Sequence, residues 1–197
     1  HWPRHPKENK QLADARSKLG DPGTKPREIG AICRAYTLEQ GIEKFLPDIY
    51  ESAGSSRYTF SGGSSWGGLE VFPSGHAYSY QDSDPAANGH CHNLFDLIRI
   101  HKFGELDEDA AETTTNGNRP SEQAMRKFVL DDPEALREYT TRQLEEMMDE
   151  FNKSEITGAI NPNIFFDGKR FVPMVLGKWF MNKFKSFLLD GKELYVY

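Results

Sequence analysis

The chain holds two cysteines, Cys33 and Cys91, in 197 residues. Two thiols are too few for a disulfide scaffold, and they point to a reduced, cytosolic setting. No apolar run approaches the roughly 18 residues needed to span a bilayer, so no membrane association is expected. A secretory leader pattern is also missing. The chemistry-bearing motifs are absent too. Gly177-Lys178 lacks the earlier glycine and the following Ser or Thr of a phosphate-binding loop. There is no G-x-S-x-G nucleophile elbow, and Cys33 has no histidine beside it. A self-contained enzyme is therefore not the expectation. Apolar residues make up only 37% of the chain and charged ones 27%, which fits two small cores joined by a polar segment better than one large core.

The net charge of −6 is unevenly spread. Residues 1–34 carry eight Lys/Arg against four acids, residues 163–197 six against three, and residues 35–162 ten against twenty-three. An acidic centre argues against blanket nucleic-acid binding. Basic ends leave room for local phosphate contacts. The chain starts with His1 and ends in ELYVY, a strand-like run, so it reads as a piece of a larger protein.

Punctuation by Pro3, Pro6, Pro22 and Pro26 makes residues 1–34 a polar linker with at most a short helix over Glu8–Leu19. Thr37 and Gln40 form a capping box, and Leu38, Ile42, Phe45 and Leu46 share one helical face until Pro47. Three short strands are predicted at Tyr58–Ser61, Leu69–Phe72 and Ala77–Tyr80, separated by Gly62-Gly63, Gly67-Gly68 and Pro73-Ser74-Gly75. After a loop over 82–93, Asn93 and Asp96 cap a helix carrying Leu94, Phe95, Leu97, Ile98 and Phe103, with Gly104 as its stop. This gives an α+β domain over 35–107.

The acidic, Thr/Asn-rich stretch 108–120 reads as a linker. A second domain over 121–197 follows. One of its helices is capped by Ser121. Another starts at Pro133, with Leu136, Tyr139, Leu144, Met147, Met148 and Phe151 as its apolar stripe. The tail then reads as strand Ile164–Phe166, helix Pro173–Phe184 and a hairpin over 187–197, the second half of a winged helix.

Several groups bear on function. His90, Cys91 and His92 sit together in the loop, with His76 and His101 on either side. Zinc needs four N or S ligands in a tetrahedron, and adjacent ligands serve one ion poorly. The three are either loop residues at a helix start or a partial zinc site. Asp82 and Asp84 are either a pair that holds divalent metals, as in some polymerases, or members of a turn. Arg57, Tyr58, Trp66, Tyr78, Tyr80, Arg99, His101 and Lys102 interleave aromatic and basic groups around the expected sheet. Such a mixture stacks bases and holds phosphates, or else half of the aromatics are core. Lys169, Arg170, Lys178, Lys183, Lys185 and Lys192 give the tail a basic face, either phosphate-facing or merely solvated.

The order of short strands, polar loop and capped helix in RYTFSGGSSWGGLEVFPSGHAYSYQDSDPAANGHCHNLFDLIRIHKFG resembles the zinc ribbon of replicative primases with most cysteines missing. The stretches GAICRAYTLEQGIEKFLPDIYE, RYTF and AYSYQDSDPAANGHCHNLFDLIRIHKFGELD resemble the phage and prophage primase–helicase family, including virulence-associated protein E. The run Asn93, Phe95, Asp96, Leu97, Arg99, His101, Lys102, Phe103, Gly104 carries the likeness. Tyr80-Gln81 stand where the family has a His-His type run. The tail is similar, more loosely, to the segment preceding a superfamily-three helicase motor.

The resemblance implies a connector between primase and helicase domains in DNA replication, in the cytoplasm of a bacterial host. It implies a degenerate zinc ribbon followed by a winged-helix-like part, without catalysis of its own. Mg and nucleotides are expected only in flanking domains, and zinc is left open here. The expected partners are single-stranded or primer–template DNA, the flanking primase and helicase domains, and further copies through the helicase. The expected DNA face is Arg57, Trp66, Tyr78, Tyr80, Arg99, His101, Lys102, Lys169, Arg170, Lys178, Lys183 and Lys185. The competing expectation is a docking or oligomerisation module that touches no DNA.

Overall fold

In a computed structural model that describes residues 19–110, 114–157, 166–167 and 170–171, the chain is an α+β protein built round a four-stranded antiparallel sheet. Helix α1 spans Arg27–Ala35. Its Ala31 and Ile32 are fully buried. The segment expected as linker up to residue 34 thus enters the core. Prolines and charges at its ends hide a short apolar face of Ile29, Ile32 and Cys33. Helix α2 spans Leu38–Phe45, and both bonds of the Thr37/Gln40 capping box form, at 3.3 and 3.0 Å. A Cβ on Gly41 would come within 2.2 Å of Leu94, so this glycine lets α2 lie close against the helix that starts there.

The strands are β1 Tyr50–Gly54, β2 Arg57–Phe60, β3 Leu69–Phe72 and β4 His76–Ser79, in the order β1-β2-β3-β4. Three match the expected strands within a residue or so. The sequence hides β1 because only Tyr50 of its five residues is buried, the pattern of an exposed edge strand. The β1–β2 turn also needs positive φ at Ser55 and Ser56 (50° and 58°), a conformation that glycine or asparagine would have signalled.

Helix α3 spans Leu94–Phe103 with Asn93 accepting from the Asp96 amide at 3.0 Å. Leu94, Phe95, Leu97 and Ile98 are buried against the inner sheet face and α2. The helix does not end the coiling at Gly104, since a 3-10 turn over Gly104–Asp107 continues it.

Helix α4 spans Pro120–Asp131 and starts at the proline rather than at a Ser121 cap. Ser121 is buried instead, its amide and hydroxyl both donating to Asp107 at 2.9 and 2.6 Å. Met125 and Val129 join the core that holds Phe95 and Ile98. The stretch 108–120 is therefore not a boundary. Two compact units meet between Tyr139 and Thr140. Composition misled because Arg119, at the end of this stretch, pairs back with Asp107 at 3.8 Å.

Helix α5 spans Pro133–Thr157, and Asp132 accepts from the Ala135 amide at 3.0 Å. Its inward phase is set by fully buried Ala135 with Tyr139 packed against the core. Leu136, expected in the apolar stripe, is 40% exposed.

Of the second unit, the described parts are the remainder of α5 and an antiparallel pair, β5 Phe166–Asp167 with β6 Arg170–Phe171. The helices expected over 8–19 and 173–184, the hairpin over 187–197, and Lys169, Lys178, Lys183, Lys185 and Lys192 lie outside the described residues, except Leu19. Among the described residues no helix is long and apolar enough to cross a membrane.

Candidate nucleic-acid interface

Strand alternation divides the sheet into two unlike faces. Tyr58, Leu69, Val71, Ala77 and Ser79 are buried toward the helices. The residues between them form a row across the outer face, since Arg57 pairs with Glu70 and Glu70 with Tyr78 in the ladder. Arg57 reaches Glu70 at 3.1 Å and donates to the Gly67 carbonyl at 3.1 Å. The Gly67 amide donates to Thr59 Oγ1 at 3.0 Å. These bonds lay the β2–β3 connection along the outer face and carry Trp66, 71% exposed, at its edge. Gly67 takes a φ of +66° there, which suits a residue without a Cβ.

Tyr78 and Tyr80 lie beside one another, ring centroids 4.6 Å apart and planes tilted by 54°. The Tyr80 hydroxyl donates to Glu70 at 2.9 Å. The face thus offers two half-exposed phenol rings, an exposed indole and a guanidinium already balanced by a carboxylate. Glu70 was missed in the sequence, though its place between Leu69 and Val71 marks it as outward-facing.

The other expected DNA contacts are placed elsewhere. Arg99 lies on α3 among acids and is turned inward. It donates to Ser121 at 3.0 Å and stands within 4 Å of Asp96, Asp107 and Glu122. Lys102 is exposed, its ammonium 5.7 Å from the Phe128 ring centre. Arg170 belongs to β6. The four tail lysines of the expected set are outside the described residues.

His101 is not a surface residue. Its side chain is 4% exposed and faces a fully enclosed Asp84 at 3.3 Å. Tyr50 donates its hydroxyl proton to Asp84 at 2.8 Å. The 2.7 Å contact between Tyr50 and His101 Nε2 therefore needs the imidazole proton on Nε2, because the phenol has only one proton to give. Ser79 donates to Asp84 at 2.6 Å and the Ala86 amide at 2.8 Å. Burial pushes the Asp84 carboxyl upward, but the bonds from His101, Ser79, Ala86 and Tyr50 outweigh it and hold the group below the usual carboxylate range. Burial, with the Asp84 charge beside it, raises the Tyr50 phenol far above its ordinary value. This junction ties β1, the end of β4, the following loop and α3 together. The signal for it was in the sequence: Leu94, Leu97, Ile98 and His101 stand at i, i+3, i+4 and i+7, so His101 shares the buried stripe.

The loop residues do not assemble a metal set. Asp82 is exposed while Asp84 is enclosed, so the two carboxylates do not converge on one ion. Asp84 is a turn residue, accepting from Ala86 through its side chain and from Ala87 through its carbonyl. His90 is exposed, and His92 is buried with Nε2 at 2.9 Å from Asn88 Oδ1. Burial drives the His92 imidazole below its ordinary value. Among the described residues no group of three or more His, Cys, Asp or Glu could hold a metal ion. Comparison with protein-family models, with curated proteins and with solved structures found no match to the chain.

Proposed function

We propose that this chain is a non-catalytic, template-handling module of a phage-type primase–helicase, holding single-stranded DNA between the primase and helicase domains. In this reading the four-stranded sheet is a primase-type ribbon whose metal knuckle is replaced by the Asp84 junction, and the tail is a winged-helix-like element. The observation that carries the reading is the outer sheet face, where Tyr78 and Tyr80 lie side by side, with exposed Trp66 in the β2–β3 connection that Arg57 and Thr59 hold. Flat rings open to solvent stack bases without regard to sequence. The Arg57 charge is balanced by Glu70, so bases rather than phosphates are the main ligands of the sheet. Phosphate contacts fall to the basic tail.

The test is fluorescence anisotropy of a labelled single strand of about 20 nucleotides, at low and moderate salt. Binding on the order of micromolar that weakens when Lys178 and Lys185 become Ala supports the module. No binding at low salt refutes it. A second reading, a docking element for another protein domain, is favoured by Glu134, Glu145, Glu146 and Asp149, which stand exposed on α5. It predicts self-association in light scattering without any DNA binding.

A further inference from the structure

We propose that Glu70 makes the outer sheet face selective for guanine in single-stranded DNA, a specificity that rests on the base-stacking reading above. Glu70 stands directly opposite Tyr78 in the β3–β4 ladder. Opposed residues of an antiparallel pair hold their Cβ atoms roughly 5 Å apart, so a base lying on the Tyr78 ring brings its edge to this carboxylate. The carboxylate is already aimed. Arg57 holds it from one side at 3.1 Å and Tyr80 from the other at 2.9 Å, and both contacts fall on Oε2. The side chain remains 29% exposed. Among the described residues Oε1 meets no donor, and Oε2 takes one hydrogen bond, from Tyr80, beside the Arg57 ion pair, so each oxygen can accept from one of two adjacent donors on a ligand.

A carboxylate offers acceptors only. Among the four bases, guanine alone presents two adjacent donors on its Watson–Crick edge, N1–H and the N2 amine. Thymine presents one N–H between two carbonyls, whose oxygens repel a carboxylate. Cytosine and adenine present an amine beside a ring-nitrogen acceptor. Reading of unstacked bases by their Watson–Crick edges is the usual route to preference in single strands. Arg57 and Tyr80 fix the rotamer, so little side-chain entropy is lost when the base arrives.

The experiment uses the full chain and three labelled strands: oligothymidylate, the same strand with guanine at alternate positions, and that strand with inosine replacing each guanine. Anisotropy should show the guanine strand bound on the order of tenfold tighter than oligothymidylate. Inosine, which lacks the N2 amine, should recover only part of that gain. In E70Q the gap between guanine and thymine strands should close while oligothymidylate binding persists. Equal affinity for guanine and thymine strands overturns the guanine contact and leaves the stacking face standing. Inosine binding as tightly as guanine overturns the two-donor contact. Failure of every strand to bind overturns the stacking face and this inference with it. The strand comparison needs no variant, so a misfolded E70Q would not shield the proposal.

Discussion

Tyr50 and Tyr80 make the same bond in two different places. Each hydroxyl donates to a carboxylate, Tyr50 to Asp84 at 2.8 Å and Tyr80 to Glu70 at 2.9 Å. Tyr50 is 4% exposed and its carboxylate is sealed from water, whereas Tyr80 and Glu70 are half-exposed on the sheet's outer face. In the buried pair every polar atom depends on its protein partners, because water cannot replace them. In the outer pair water or a ligand can replace either partner at small cost. The first arrangement holds the fold together, and the second is free to serve a ligand.

The largest effect should come from the sealed carboxylate. Asp84→Ala strands the Tyr50 hydroxyl proton, the Ser79 hydroxyl and the Ala86 amide together, and takes from His101 Nε2 its second acceptor. We expect a loss of about 3–5 kcal/mol, measured by urea unfolding. Tyr50→Phe removes one member and should cost about 1–2 kcal/mol. Tyr80→Phe should cost less than about 0.5 kcal/mol. A Tyr80→Phe loss as large as that of Tyr50→Phe would erase the contrast between the two pairs.

Acid should find the buried side first. Burial lowers the folded-state values of His76 and His92 below the ordinary imidazole value. The unfolded chain then binds more protons than the folded one below about pH 6.5, and stability falls as pH drops. Asp84 is also depressed in the folded state, so its contribution is full above about pH 4 and is lost as pH falls through the folded value. The expected curve of melting temperature against pH has one descent beginning near pH 6.5 and a steeper one below about pH 4. Replacing His76 and His92 by Gln should remove the first descent and leave the second. A first descent unchanged in that double variant would move its origin away from these two residues.

Much of the framework could be read from residue order. The Thr37 box, the Asn93 cap, the Asp132-Pro133 start and three of the four strands depend on neighbours a few residues apart, and they formed where local rules put them. What escaped depends on distant partners. Arg99 reads as a surface cation, yet Asp107 and Glu122 come to it from beyond its own helix. Helix α4 reads from sequence as the start of a second domain because composition cannot show that Met125 and Val129 reach the same core as Phe95. Within the candidate face, Trp66, Tyr78, Tyr80 and Arg57 were legible as an aromatic–basic mixture. Glu70 was not, because its role arises only when Arg57 and Tyr80 close on it from neighbouring strands.

The smallest stability change should accompany a clear change in binding. Trp66 is 71% exposed, so Trp66→Ala should alter unfolding by less than about 0.5 kcal/mol. If the indole stacks a base, the same change should weaken single-strand binding by about 1–3 kcal/mol. Leu106 supplies the control. It is also an exposed apolar residue, in the turn after α3 and off the sheet. Leu106→Ala should leave both stability and binding unchanged. Equal losses of binding in the two variants would mean that any exposed apolar group holds the strand. A loss confined to Trp66→Ala ties recognition to the sheet's outer face, since neither residue contributes enough to the core for misfolding to imitate that result.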